Sequence, residues 1–256
     1  MSVLARSLAA FLLTVAVTGC GGDEEPAADV SSLEGVPWVL ASGVDVEGWE
    51  EVAPSARFAD GRVAGSTGCN RFTGAYTVDG DALELGQIAS TRRACVPPAD
   101  AVERAFLAAL ERVAAWSVEG DELTLHDSDH EEVLRFAAAT PAGSWQVTAF
   151  LQGDSVSSPI PGTEITAEFA ESGALSGSAG CNRYTSSFTT DRGAIEIAQP
   201  AATEMACPEP EGVMEQETAY LAALPKAVRY EVDGRSLQLL TAEGTIVANF
   251  SHTPEP

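Results

Sequence analysis

Two pairs of cysteines, Cys69 with Cys95 and Cys181 with Cys207, stand at the same separation of 26 residues and carry the same neighbours. Gly68-Cys69-Asn70-Arg71-Phe72-Thr73 recurs as Gly180-Cys181-Asn182-Arg183-Tyr184-Thr185. Leu83 and Leu85 recur as Ile195 and Ile197, and Thr91 with Ala94-Cys95 recurs as Thr203 with Ala206-Cys207. Past the second cysteine the spacing slips slightly, yet Glu103, Phe106 and Leu110 still find Glu217, Tyr220 and Leu224. Trp116, Leu123, Leu125 and Phe136 then find Tyr230, Leu237, Leu239 and Phe250, and Trp38 and Trp145 open the two copies. Agreement kept in order and spacing over this length makes the chain two copies of one small domain.

The repeat also chooses among cysteine pairings. Four cysteines allow three connectivities, but equal spacing within each copy predicts that each domain closes its own bond, Cys69 to Cys95 and Cys181 to Cys207. A bond closing a loop of this length is worth about 3.5 kcal/mol in the chain-entropy model, a large share of the stability of a small domain. A metal or redox site is the competing reading. It lacks a Cys-x-x-Cys pair, and His126, His130 and His252 have no counterparts across the copies, so no metal and no cofactor is expected.

Within each copy short alternating runs are bounded by turn residues. Arg62–Ser66, Gly74–Val78 and Ala82–Leu85 read as strands, with Asp79-Gly80-Asp81 turning the second into the third. Trp116–Val118, Leu123–Leu125 and Val133–Phe136 read as a closing meander. One helix interrupts them after Pro97-Pro98, with Val102, Phe106, Ala109, Leu110 and Val113 on one face. The second copy repeats it with Val213, Tyr220, Leu221 and Leu224, stopping before Pro225. The expected class is α+β: two tandem β-rich domains, each a curved antiparallel sheet or an incompletely closed barrel covered by one helix.

Ahead of the repeats, Arg6, an apolar stretch from Leu8 to Val17 and Thr18-Gly19-Cys20 follow the tripartite pattern of an export signal. The apolar run is too short to span a bilayer, which takes about 20 apolar residues. Small residues ending in Cys20 fit a lipobox, where a diacylglycerol is attached to the thiol and the chain is cut before it; an ordinary export signal with an incidental cysteine is the alternative. Of five cysteines, Cys20 is the one the repeat leaves over, which favours lipidation. The expected organisation is a signal over 1–19, a small acidic tether over 20–32, and domains over 33–139 and 140–256. The place expected is the extracytoplasmic side of a membrane in the cell envelope, at a periplasmic face or the cell surface. With 14 Lys and Arg against 38 Asp and Glu, the net charge of −24 argues against nucleic acid as a partner, because phosphate binding rests on cations.

The Gly-Cys-Asn-x-Phe segment, the Thr-x-x-Ala-Cys segment, the Glu-x-x-Phe/Tyr pattern and the final Leu-x-Leu hairpin together resemble the META domain of HslJ-like proteins. The resemblance covers nearly all of the chain past the tether. It implies a compact β-rich domain with one helix, displayed on envelope lipoproteins and associated with stress or drug tolerance, and it brings no catalytic set. Ser186-Ser187 in place of Gly74-Ala75 is a local departure.

Candidate chemistry is sparse. Gly68, Asn70 and Arg71, with Gly180, Asn182 and Arg183, form either an anion clamp built on the guanidinium fork or a tight turn in which Gly permits the backbone, Cys staples it and Asn makes a local bond; the turn preferences favour the structural reading. His126-Asp127-Ser128-Asp129-His130 reads as a turn between strands rather than a metal or Ser/His/Asp site. Glu103 and Glu217 are expected on a solvated helix face or in a salt bridge, being outside the apolar stripe. With no nucleophile elbow, HExxH, phosphate loop or dinucleotide fingerprint, no catalytic residue is assigned and the chain is read as a non-enzyme.

Three functions follow in order of preference. The first is a non-catalytic, lipid-anchored envelope module that binds a protein, a peptide or an envelope component. The second is a carrier or chaperone of a small apolar ligand, with Phe72, Tyr76 and Phe106 lining a cavity between helix and sheet. The third is a hydrolase, or an inhibitor of hydrolases, the inhibitor acting through the Gln152–Gly162 segment with Pro159 and Pro161.

Overall fold

The computed structural model describes residues 29–233 and 236–252, so the export signal and Cys20 lie outside the described residues. In the first copy the strands are β1 (Trp38–Ser42), β2 (Ser55–Ala59), β3 (Arg62–Ser66), β4 (Arg71–Asp79), β5 (Ala82–Leu85) and β6 (Ala89–Ser90). The helix α1 (Ala99–Leu110) follows, then β7 (Ala115–Glu119), β8 (Glu122–His126) and β9 (Glu132–Ala138). In β4, Phe72, Gly74 and Tyr76 point inward while Arg71, Ala75 and Thr77 face water, the period of two that the sequence carries.

Neighbouring strands pair antiparallel in the order β3-β2-β1-β9-β8-β7-β5-β4, and β4 returns to β3. Eight strands therefore close into a barrel, so the curved antiparallel sheet expected from the sequence is shut into a full ring. Closure depends on long-range pairs such as Trp38 with Ala138 and Leu40 with Phe136, which join the first strand to the last. One seam is thin. β5 meets β7 at the single pair Ala82–Ala115, flanked by the Leu83 N–H donating to the Ala114 carbonyl and the Trp116 N–H to the Asp81 carbonyl, both at 2.9 Å. The excursion that carries β6 and α1 enters and leaves the ring at this seam, and α1 turns Val102, Phe106, Ala109 and Leu110 into the core.

The second copy repeats the plan with β10 (Gly143–Gln152), β11 (Ser155–Ser157), β12 (Thr166–Phe169), β13 (Ala174–Ser178), β14 (Arg183–Asp191), β15 (Ala194–Ile197) and β16 (Ala201–Ala202). Then come α2 (Val213–Ala223), β17 (Arg229–Asp233), β18 (Ser236–Leu240) and β19 (Ile246–His252). Its ring closes through β10 and β19, and its thin seam is the pair Ala194–Arg229. Pro225 ends α2, whose last residues tighten into a 3-10 turn over Leu224–Lys226. Each barrel has its own core, and the aromatic positions of the repeat fill both: Trp38, Phe106, Trp116 and Phe136 in one, Trp145, Tyr220, Tyr230 and Phe250 in the other.

The copies dock head to tail. The tip of β17 lies against β2, β3 and β4, where Arg57 pairs with Glu231 and Arg71 pairs with Asp233 at 3.0 Å. The Ser55 hydroxyl also donates to Asp233 at 3.1 Å, and the Tyr230 hydroxyl donates to the Ala139 carbonyl at 2.9 Å.

Candidate functional site

The repeated motif sits where β4 or β14 begins, on the turn that leaves the preceding strand. Gly68 and Gly180 hold positive φ of 90° and 109°, a region that L side chains rarely adopt. A Cβ on Gly68 would run into Val52, and one on Gly180 would lie 2.8 Å from the Gln216 amide nitrogen. Cys69 bonds to Cys95 and Cys181 to Cys207, with Cα atoms 6.0 and 6.1 Å apart, as the equal spacing predicts.

The two asparagines are buried and fully used. The Asn70 Oδ1 accepts from the Thr91 hydroxyl and the Arg93 N–H, both at 2.8 Å; Asn182 Oδ1 accepts from the Thr203 hydroxyl at 2.6 Å and the Met205 N–H at 2.8 Å. Their Nδ2 groups donate to the carbonyls of Arg93 and Met205, at 3.3 and 3.1 Å. Each amide thus pairs with the far limb of its disulfide loop as a strand residue would, and keeps one donor free to point inward.

That donor meets a carboxylate from the helix. Asn70 Nδ2 donates to Glu103 at 2.8 Å, and Asn182 Nδ2 donates to Glu217 at 2.9 Å. In the first copy the Thr67 hydroxyl also donates to Glu103 at 2.8 Å. The second copy has Ala179 at that place, and there the Asn182 backbone N–H reaches Glu217 directly at 2.7 Å. Glu103 and Glu217 are therefore not a solvated helix face, which corrects the expectation. Glu103 is half-buried and Glu217 only 6% exposed, because a carboxylate can leave water when it accepts several hydrogen bonds. The helical wheel hid them; the recurrence of both Asn and Glu in both copies was the signal that could have found them.

Asn and Arg do not form a clamp. Strand alternation turns Asn70 and Asn182 inward and Arg71 and Arg183 outward, with Arg71 spent on Asp233 and Arg183 exposed. Cys69, Cys95 and Glu103 place ligand-type atoms within 4.8 Å of one another, but both sulfurs belong to a disulfide and offer no thiolate. At the His126–His130 turn, Asp127 accepts from the backbone N–H groups of Asp129 and Glu131, both at 3.0 Å. His126 Nε2 lies 3.2 Å from the Ser117 hydroxyl, and exposed His130 takes a positive φ of 60° as part of the turn.

The aromatic residues expected to line a cavity are packed. Phe72, Tyr76 and Phe106 are buried, and Phe106 meets Phe72 and Phe136 edge to face with ring centres 5.6 and 6.2 Å apart. The copies differ here: where the first has Phe72 and Phe106, the second has Tyr184 and Tyr220, whose hydroxyls lie 2.9 Å apart. Burial pushes both phenols well above the usual tyrosine range. The Gln152–Gly162 segment is not a free loop either. Its first part folds back as β11 on β10, and Gln216 accepts from the Ile160 N–H at 2.6 Å and donates to the Thr163 hydroxyl at 3.1 Å.

Two closed barrels, each stapled at one turn and braced from its helix by an Asn–Glu pair, define a duplicated β-barrel protein. The chain belongs to the META domain family, whose model matches residues 31–140 and again 138–253. No curated protein matches it. An NMR structure of a protein from Burkholderia xenovorans is 30% identical over 44% of this chain and 83% of its own, with a TM-score of 0.38. A crystal structure of a DUF4847 family protein from Bacteroides vulgatus is 14% identical over 45% of this chain and 95% of its own, with a TM-score of 0.32. Among the described residues no helix is long and apolar enough to cross a membrane.

Proposed function

We propose that the protein is a non-catalytic module of the cell envelope, held by a lipid on Cys20 and acting by binding through its pair of META domains. One observation carries this reading: the asparagine and glutamate side chains that recur in both copies bond to one another inside the fold. Asn70 and Asn182 spend their amides on the disulfide loop and the helix, and Glu103 and Glu217 spend their carboxylates on those amides. A catalytic group needs a face toward substrate, and the buried Asn70, Asn182 and Glu217 present none. Crosslinking in intact cells tests the reading. The full-length protein is expected to be captured with an envelope partner, and the purified protein to turn over none of a panel of esters, peptides and glycosides. Turnover that is lost on replacing a residue of the motif, in a protein that remains folded, overturns it.

A further inference from the structure

The first copy shows what one face of this barrel can hold. Its β2–β3–β4 face receives the tip of β17: Glu231 pairs with Arg57, Asp233 accepts from Ser55 and Arg71, and Val232 lines the cleft of about 280 Å³ between them. Ser55 is left 4% exposed. Duplication builds the same face on the second copy. Arg57 pairs with Ala64 across β2 and β3, and Glu168 pairs with Ser176 across β12 and β13, so Glu168 takes the place of Arg57. Arg183 follows β13 as Arg71 follows β3. Here Glu168 and Arg183 are exposed; the open cleft of about 410 Å³ that Arg183 lines with Ser176, Gly177, Thr185, Ala201 and Thr203 lies beside them toward β16, with Glu168 outside its lining.

The two faces differ in charge. Arg57, Arg62 and Arg71 on the first correspond to Glu168, Ala174 and Arg183 on the second. The hairpin tips differ in the same places, since Glu231-Val232-Asp233 of β17 corresponds to Ser117-Val118-Glu119 of β7. A tip like that of β17 brought to the second face would set a carboxylate against Glu168, and like charges across an interface reject a partner. A tip with a cation in that place, and an acid at the position that follows on the same side of the strand, would satisfy both Glu168 and Arg183.

We propose that the β12–β13–β14 face of the second copy is a partner-binding surface, and that it takes the tip of a β-hairpin from another protein, with a basic residue against Glu168 and a carboxylate against Arg183. The proposal rests on reading the chain as a binding module and specifies the partner; lipid attachment and absence of turnover are separate questions with separate tests.

The full-length chain can supply its own probe, because the β7–β8 hairpin corresponds in sequence to the docking tip and already carries exposed Glu119. Ser117→Lys completes the pattern and should let molecules associate head to tail. Sedimentation velocity of the purified protein is expected to show a monomeric wild type and an association constant at least about tenfold higher for Ser117→Lys. Adding Glu168→Lys should remove the gain, and combining Ser117→Glu with Glu168→Lys should restore it; glutamate is what the second copy carries at this position, so this pair offers a test in a tip already compatible with the fold. Circular dichroism checks folding of each variant. Folded variants that all remain monomeric, or an association indifferent to residue 168, overturn the proposal. Wild-type association that Arg183→Glu abolishes would name a second copy of this chain as the occupant and overturn it as well.

Discussion

Glu217, carried on α2, accepts hydrogen bonds from both the backbone N–H and the side-chain amide of Asn182, at 2.7 and 2.9 Å. This one relationship ties the helix to the disulfide turn and takes a carboxylate out of water. Asn182→Ala removes one of its donors and the amide bridge to Met205, while Glu217 stays 6% exposed. Leaving a buried charged group short of donors costs about 3 kcal/mol. Asn70→Ala should cost less, about 1 to 2 kcal/mol, because Glu103 is half-buried and keeps the Thr67 hydroxyl. Urea denaturation of the two variants measures both losses; equal and negligible losses would mean that the brace does not stabilise the fold.

Each disulfide should stabilise its own barrel by about 3.5 kcal/mol. Replacing Cys181 and Cys207 by serine is expected to lower the melting of the second copy and leave the first nearly in place. Two calorimetric transitions should then separate. A single transition shifted as a whole would show that the copies unfold together.

The buried tyrosines predict an alkaline asymmetry. Tyr184, Tyr220 and Tyr230 of the second copy are all raised by burial, against Tyr76 in the first, raised by burial and by its hydrogen bond with Glu34. Their pKa values are higher folded than unfolded. Above about pH 10 the unfolded chain has released phenolic protons that the folded chain still holds, so stability falls as pH rises through that region. The double change Tyr184→Phe with Tyr220→Phe, which gives the second copy the side chains of the first, should flatten the alkaline loss in a melting series from pH 8 to pH 11.

Much of this architecture was legible in the sequence, and the limits have physical causes. Short-range pattern gave the strands that follow turn signals: Arg62–Ser66 and Ala82–Leu85 match β3 and β5 in full. The repeat supplied both disulfides. Closure of the ring was not legible, because the β1–β9 and β10–β19 pairs join residues about a hundred positions apart and leave no local trace. Glu103 and Glu217 were misread for a related reason: helical periodicity describes which side is apolar, and it is blind to a carboxylate buried against an amide from another strand. The docking of the copies was hidden by the repeat itself, since it depends on Arg57 and Glu231, positions where the two copies differ.

That docking can be tested by charge. Arg57 is half-buried beside Glu231, and Arg57→Glu should set two carboxylates together and separate the copies, seen as a larger radius of gyration in small-angle scattering. Adding Glu231→Arg should restore the compact form. A coupling of about 1 kcal/mol in the double-mutant cycle is expected for a partly exposed pair. An unchanged scattering profile for Arg57→Glu would show that the ion pair does not hold the copies.

The proposal that this is a lipid-anchored binding module of the envelope comes down most directly to Cys20. Intact mass spectrometry of the protein purified from the membrane fraction should find a chain that begins at Cys20 and carries a diacylglycerol on its thiol, and Cys20→Ala should move the protein out of that fraction. A chain recovered in soluble form with an unmodified Cys20 thiol would contradict the account.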